Sequence, residues 1–296
     1  MWVVRLRKIW FLISAILVIA SIVVTAIWSL NFGIDFTGGT LAELRFKEVE
    51  RPSVPEIRDT LSEFNLGDIN IQPTKETDVI LRFQFLSEEQ KNNILNKLNE
   101  QYGAIEEMRF DSIGPIIGEE LRTKTFYAII GVLVAIILYV AYAFRKISKP
   151  ISSWKYGLLT IIAAFHDVII PVGIFAVLGK IFGLEVNAPF VAALLTIMGY
   201  SVNDTIVVFD RVRENLLKTE GTFEKIIGRS IKQTFTRSIN TTLTTLLALI
   251  AIFLFGGETI KDFTGVLIIG IAIGAYSSIF IASPLLIAWE RFRRRA

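Results

Sequence analysis

Six stretches of the chain are apolar over most of their length, and each is long enough to cross a lipid bilayer. A membrane-spanning helix needs about 20 predominantly apolar residues. The sequence therefore predicts a polytopic α-helical membrane protein with six transmembrane helices. These predicted spans 1 to 6 lie near residues 9–30, 125–144, 156–178, 188–209, 238–255 and 263–289.

The first apolar run resembles a secretory signal peptide at its start, because Arg5, Arg7 and Lys8 precede it. It continues through Trp28, which makes it longer than the roughly 7–15 residues of a signal core, and no small-residue cleavage site follows. We interpret it as a retained anchor, so that residues 1–30 form a cytoplasmic N-terminus and the first transmembrane helix.

Residues 31–124 have the pattern of a small folded domain. Ser53 and Glu56 have the spacing of a capping box at the start of one helix, and a second helix begins near Ser87. The order β-α-β-β-α-β predicts a small α/β ferredoxin-like domain between helices 1 and 2, a fold that does not decide function. The predicted strands, which alternate apolar and polar residues, are 40–47, 68–73, 78–85 and 104–110.

The composition agrees with a membrane protein and narrows its chemistry. Hydrophobic residues make up 52% of the chain, and the mean hydropathy of +0.54 is too high for an ordinary soluble domain. The absence of cysteine excludes disulfides and thiolate chemistry, and a single histidine, His166, leaves little room for a histidine-built metal site. The net charge of +3 says little about partners, and no nucleic acid is expected among them.

The distribution of charge predicts how the chain is oriented. Lysine and arginine gather before span 1, between spans 2 and 3, between spans 4 and 5, and after span 6, whereas the other two short connections carry only Lys180 and Lys261. Positive charge collects on the cytoplasmic side of a membrane. Both termini are therefore expected in the cytoplasm, residues 31–124 outside it, and residues 125–296 as helices 2 to 6 with a cytoplasmic tail.

An acidic residue inside span 4 is the first candidate for function. An aspartate at membrane depth costs about 2.5–3.5 kcal/mol on insertion scales, and Asp204 lies about 6 residues inside the predicted end of its span. Tyr200 is one turn away on the same face, and Asn203 is adjacent. Asp204 is expected either to exchange protons or to pair structurally with a neighbouring helix.

A second polar pair, His166 and Asp167, lies near the middle of span 3. Adjacent residues point about 100° apart on a helix, so we do not expect both to face one partner. Either residue could belong to a proton path, and the interpretation that we favour is an interhelical hydrogen bond.

Span 5 begins with a polar stripe of Arg237, Thr241, Thr244 and Thr245 on one helical face. The stripe could hold water or a proton path beside Asp204. Alternatively, the threonines bond back to their own helix carbonyls and Arg237 anchors the helix end at the membrane surface.

Two further patterns predict packing and no chemistry. Small residues repeat every four positions as Gly270, Gly274 and Ser278, and again as Ala192 and Thr196, which lets helices approach closely. The connection 210–237 is amphipathic and is expected to lie along the inner membrane surface or to form a solvated helix.

Taken together, five motifs give the chain a family resemblance. In this order and with this topology, the chain resembles the SecF family, the smaller membrane subunits of the SecDF protein-export complex, within the RND superfamily. The motifs are GIDFTGGT at 33–40, FHDV at 165–168, GYSVNDT at 199–205, FDRVREN at 209–215 and QTFTRS at 233–238.

The resemblance implies a function that the residues alone do not give. It implies a complex with SecD that works with the SecYEG channel in a bacterial or archaeal cell membrane and uses the proton gradient to help move secreted polypeptides outward. Asp204 would carry the proton and Arg237 would assist it. The residues themselves make Asn203, Tyr200, Thr241, Thr245, His166 and Asp167 candidates for polar support, and the resemblance assigns His166 and Asp167 no relay role. No cofactor is implied beyond the proton as coupling ion, and a second carboxylate would lie on SecD.

Three other functions compete with this one from the sequence, and two of them, a half-transporter and a passive scaffold, remain open. An RND-type half-transporter for a small molecule or lipid usually has larger outer domains than residues 31–124 provide. An intramembrane aspartyl protease carries a Gly-x-Gly-Asp motif, which this sequence lacks, so no enzymatic activity is expected. A passive scaffold for the translocon would need the same polar spans, and a measurement of proton flux separates it from a transporter.

Overall fold

The computed structural model describes residues 2–47, 50–74, 76–145 and 152–295. The chain divides into two compact units, of which one comprises residues 32–126 and the other residues 1–31 with 127–296. The elements in chain order are α1 (Trp2–Arg5), α2 (Arg7–Trp28), α3 (Ile34–Thr37), β1 (Gly39–Phe46), α4 (Val54–Leu61) with a 3₁₀ turn (Ser62–Phe64), β2 (Asn70–Pro73), β3 (Asp78–Phe83), α5 (Glu88–Tyr102), β4 (Ile105–Ile113), α6 (Pro115–Ala143), α7 (Ser153–Phe182), α8 (Ala188–Lys218), α9 (Phe223–Phe255), α10 (Glu258–Ser277), a π-helical turn (Ser278–Ala282) and α11 (Ser283–Arg295).

The unit of residues 32–126 is a ferredoxin-like α/β sandwich, as the sequence predicts. Its four strands form one antiparallel sheet in the order β2-β3-β1-β4, and helices α4 and α5 follow β1 and β3. The core contains Leu44, Ile57, Leu81 and Leu98, whose side chains are almost entirely buried. The buried Asp78 accepts hydrogen bonds from Arg45 Nε at 2.8 Å and Nη2 at 2.9 Å, which joins β3 to β1 at the rim of this core.

Both helices of the sandwich begin with a capping box. The expected pair of Ser53 and Glu56 is confirmed, because each side chain binds the other residue's backbone N–H. Ser87 and Gln90 make the same arrangement at the start of α5. The backbone N–H and the hydroxyl of Ser53 lower the pKa of Glu56. This cap is therefore complete at neutral pH and is lost as pH falls through that lowered pKa.

The other unit is a bundle of membrane helices. Six helical segments are long and apolar enough to cross a membrane, which confirms the predicted fold class. In the most apolar part of each segment, 50% of residues are buried in α7, 44% in α8 and 61% in the segment from Ile260 to Phe292, against 11% in α2, α6 and α9. The centre of the bundle is therefore built by α7, α8 and α10.

The structure corrects the prediction for residues 210–237. Helix α8 continues to Lys218 and α9 begins at Phe223, so most of this connection belongs to two long helices. Ile227 and Ile231 are fully buried in the core of the bundle. The apolar face of these helices packs inward against its neighbours, while the residues around the break between α8 and α9 are largely exposed. The predicted sixth span is also divided, into α10, the π-helical turn and α11.

One of the two small-residue repeats is a helix contact. A Cβ atom at Gly270 would overlap the side chain of Ile197, and one at Gly274 would lie 3.1 Å from Cβ of Ser201, so α10 lies close against α8. Ala192 and Thr196 are exposed on α8 and make no close helix contact within the described part of this chain, so the contact predicted for them stays a prediction. Small size permits close contact only on a face that a neighbouring helix approaches.

We expect Gly173→Ala to destabilise the bundle by about 1–3 kcal/mol, the usual cost of forcing extra atoms into a packed interface. A Cβ atom at this position of α7 would lie 2.5 Å from Cα of Ser21 in α2, so the backbone itself would have to move. Thermal unfolding of the purified protein in detergent measures the effect. Gly131→Ala in α6 is the matched control, because nothing lies within 4 Å of its added Cβ, and equal stability of the two variants would contradict the prediction.

Candidate functional site

Asp204 lies on the inward face of α8 and is 7% exposed. Its Oδ1 atom accepts a hydrogen bond of 2.6 Å from the hydroxyl of Ser238 in α9. The hydroxyl of Ser278, at the start of the π-helical turn, also lies close to the carboxyl group, while Oδ2 is buried without a hydrogen bond of normal geometry among the described residues. A titratable group thus sits at the meeting point of α8, α9 and α10, with hydroxyl groups as its neighbours.

The α9 residue that hydrogen-bonds Asp204 does not belong to the predicted polar stripe. Arg237, Thr241 and Thr244 are exposed, and no ion pair joins Arg237 to Asp204 in the part of the chain that the structure describes. Ser238 faces the carboxylate instead, since one residue further along a helix turns the side chain by about 100°. The proton role of Asp204 and the assisting role of Arg237 stay predictions.

The other residues predicted to give polar support make different contacts in the structure. The hydroxyls of Thr241 and Thr245 donate to helix carbonyls one turn earlier, at 2.9 and 3.1 Å, which is the local bonding considered as the alternative. The hydroxyl of Tyr200 lies 3.2 Å from that of Thr245 and joins α8 to α9. Asn203 is exposed, so it points away from Asp204.

His166 and Asp167 contact each other as well as different neighbours, since Asp167 binds Ser201 and Ser277 while the His166 ring lies against Tyr276. Nδ1 of His166 lies 2.8 Å from Oδ1 of Asp167, because the imidazole ring reaches back across the turn between the two Cα–Cβ directions. Asp167 is fully buried, and its Oδ2 accepts hydrogen bonds from Ser277 at 2.5 Å and from Ser201. The favoured interhelical hydrogen bond is thus present, and it joins α7 to both α8 and α10.

The serines of this site were not predicted as functional residues. Ser201, Ser238 and Ser277 each donate to one of the two carboxyl groups, and Ser278 hydrogen-bonds Thr205 at 3.0 Å. The available signals were the position of Ser201 within the GYSVNDT motif and of Ser278 in the small-residue repeat. Within the described residues, no three or more carboxylate or imidazole groups gather closely enough to hold a metal ion.

Removing the hydroxyl that binds Asp204 is expected to slow any proton exchange at this carboxyl. A hydrogen bond to a charged group contributes about 1.5–3 kcal/mol, so Ser238→Ala should reduce proton flux about ten- to a hundredfold. Ser238→Thr keeps the hydroxyl and should retain most of the flux. Flux is measured in vesicles that contain the assembled complex, and equal rates for both variants would show that the hydrogen bond has no role in it.

Comparisons with known proteins identify the family. The SecD/SecF C-terminal family of protein export membrane proteins matches residues 93–292, and the SecD/SecF GG motif matches residues 30–48. The SecF translocase subunit of Thermobaculum terrenum is 41% identical, with 97% of this chain and 93% of that protein covered. The SecF subunit of Anaerolinea thermophila is 37% identical, with 96% and 92% covered.

Solved structures agree with this assignment. The crystal structure of SecDF from Thermus thermophilus, described as a translocon-associated membrane protein, superposes with a TM-score of 0.83 at 33% identity. The match covers 97% of this chain and 38% of that one, so this chain spans less than half of the SecDF polypeptide. The chain is a multi-pass membrane protein that belongs to the SecD/SecF protein-export family, and within it to the SecF translocase subunits.

Proposed function

We propose that this chain, in complex with SecD, couples the proton gradient to the export of secreted polypeptides through the SecYEG channel. The observation that carries the proposal is Asp204, a carboxyl group that is 7% exposed inside a helix bundle and has a hydroxyl, not a cation, as its hydrogen-bond donor. A buried carboxylate without an ion-pair partner favours binding a proton, since the protonated form carries no charge to desolvate. The proton is the coupling ion, and the chain performs no covalent chemistry.

The energy available from protons is sufficient for a mechanical step. One elementary charge that crosses 100 mV releases about 2.3 kcal/mol. Protonation of Asp204 removes a negative charge from the contact of α8, α9 and α10, and the helices then repack around a neutral group. In this proposal the domain of residues 31–124 lies on the outer side of the membrane, where it meets the exported chain.

The partner subunit would complete the proton path. Arg237 and Asn203 are exposed on α9 and α8, and so remain available to SecD, on which the family resemblance places a second carboxylate. Both termini lie in the cytoplasm of a bacterial or archaeal cell in this proposal, because the basic connections between the helices lie on that side.

Export from membrane vesicles tests the function. Vesicles that contain SecYEG, SecD and this chain should export a secretory protein faster when a proton gradient is present, and an ionophore that dissipates the gradient should remove the acceleration. Vesicles without this chain should export at the slower rate in both conditions. If this chain makes export faster to the same extent with the ionophore present, the passive scaffold is favoured. Proton-driven uptake of a small molecule or lipid without faster export would favour the half-transporter.

A further inference from the structure

A second buried carboxyl group, on the helix next to Asp204, has no role in the function proposed above. Asp167 is 0% exposed at the centre of the bundle. Three groups donate to it or bridge it: Nδ1 of His166, the hydroxyl of Ser277 and that of Ser201. Burying an ionisable pair where almost no surface is exposed costs free energy that a hydrogen bond between uncharged groups would not.

His166 leaves one nitrogen of this pair without a partner. Nε2 is buried and has no hydrogen bond among the described residues, and the ring lies against that of Tyr276, with 6.2 Å between the ring centroids. With Nδ1–H directed at Asp167, Nε2 is an acceptor to which nothing donates. Nε2 of His166 can therefore gain or lose a proton without breaking an interaction that holds the helices together.

Two consecutive serines each lie beside one of the two carboxyl groups. Ser277 donates to Asp167 at 2.5 Å, and Ser278 lies close to Asp204 and hydrogen-bonds Thr205 at 3.0 Å. Consecutive side chains on a helix point in different directions, so Ser277 can contact Asp167 while Ser278 lies near Asp204. The π-helical turn begins at Ser278, and single π-helical turns occur frequently at functional sites.

We propose that Asp167, assisted by His166, is a second proton-carrying carboxyl group of this chain, and that it exchanges a proton with Asp204 across the Ser277–Ser278 pair. The inference rests on the proposed proton role of Asp204. In one transfer the carboxyl group of Asp167 loses a proton and the carboxylate of Asp204 gains one. For this transfer both hydroxyls turn from their positions in the structure, where Ser277 donates to Asp167 and Ser278 to the carbonyl of Gly274 at 2.9 Å. Ser277 then takes the proton of Asp167 and gives its own to Ser278, and Ser278 gives its own to Asp204, so both serines end as they began.

The repulsion between the two negative charges favours states in which one of the two carboxyl groups holds a proton. Two carboxylates in one low-dielectric cluster repel each other, so a cluster that has lost one proton holds the next more tightly. The cluster then alternates between protonation at Asp167 and at Asp204. This alternation gives a proton two successive positions inside the chain.

The test uses the assembled complex with SecD in vesicles and two measurements, proton flux and infrared difference spectra of protonated carboxyl groups between acidic and alkaline buffer. Asp204→Asn should remove one protonated-carboxyl band and leave another, and Asp167→Asn should remove the second. Ser277→Ala should lower flux about tenfold, as expected when a proton-transfer group is removed. Thr160→Ala is the matched control, because among the described residues this buried hydroxyl bonds only its own helix, at 2.8 Å, and its flux should stay within about twofold of the original.

The outcomes separate this inference from the proposed function. If Asp204→Asn abolishes flux while Asp167→Asn and Ser277→Ala leave flux and the infrared bands unchanged, Asp167 is structural and only the inference fails. If Asp204→Asn itself leaves flux unchanged, the proposed function fails. If Asp167→Asn does not assemble, Ser277→Ala decides alone, and normal flux in that variant overturns the inference.

Discussion

Replacing Asp204 by asparagine is expected to abolish the gradient-dependent part of protein export, with a fall in its rate of about a hundredfold or more. Asparagine has nearly the same shape as aspartate, and its amide oxygen can still accept the 2.6 Å hydrogen bond from Ser238. It cannot bind or release a proton near neutral pH. The variant therefore removes proton exchange and keeps the contact between α8 and α9.

Asp210→Asn is the matched control for this prediction. Asp210 is also on α8, but it is exposed and lies 3.6 Å from Arg213, with which it forms a surface ion pair. Because such pairs contribute about 0–1 kcal/mol, this control should assemble and export as the original chain does. Gradient-dependent export is measured with and without an ionophore for both variants. A normal rate in an assembled Asp204→Asn complex would make Asp204 a structural residue.

Leu81→Ala should destabilise the ferredoxin-like unit by about 2–5 kcal/mol, the range for emptying a buried leucine site. Leu81 in β3 is 0% exposed and lies opposite Ala42 in β1 and Ile71 in β2. The cavity would stand at the centre of the sheet face that α4 and α5 cover. Hydrogen exchange of the β1 and β3 amides in the intact protein reports the loss.

Met108→Ala in β4 provides the comparison for the leucine substitution. Its side chain is 44% exposed, so truncation removes few packing contacts and should leave amide exchange in β1 nearly unchanged. If both substitutions accelerate exchange to the same extent, burial at position 81 does not stabilise the sheet as described.

The membrane helices and the sandwich were predictable because each has a strong local signal. An apolar run of about 20 residues indicates a span whatever surrounds it, and alternation indicates a strand at a half-buried position such as β3. The segment 210–237 gave a weaker signal. Its charged residues obscured an apolar face that only the neighbouring helices bury, through Ile227 and Ile231.

The sequence predicted the acidic residues of the site but not the hydroxyl groups that bind them. Asp167 and Asp204 stand out because a carboxyl group at membrane depth is costly. A serine in an apolar helix gives no such signal, since it can bond its own backbone. Which residue of α9 hydrogen-bonds Asp204 depends on the rotation of one helix against another, so the sequence did not single out Ser238.

The hydrogen bond between Asp204 and Ser238 has a consequence for biosynthesis. The serine follows the aspartate by 34 residues, so the ribosome delivers α8 before the hydroxyl that its carboxyl group will bind has been made. The α8 segment is also the least apolar of the six, with a hydropathy of 1.6 against 1.9–2.7 for the others. On leaving the insertion machinery it carries an unmatched acid. We therefore expect α8 to stay beside that machinery until α9 emerges, and the two helices to enter the lipid together.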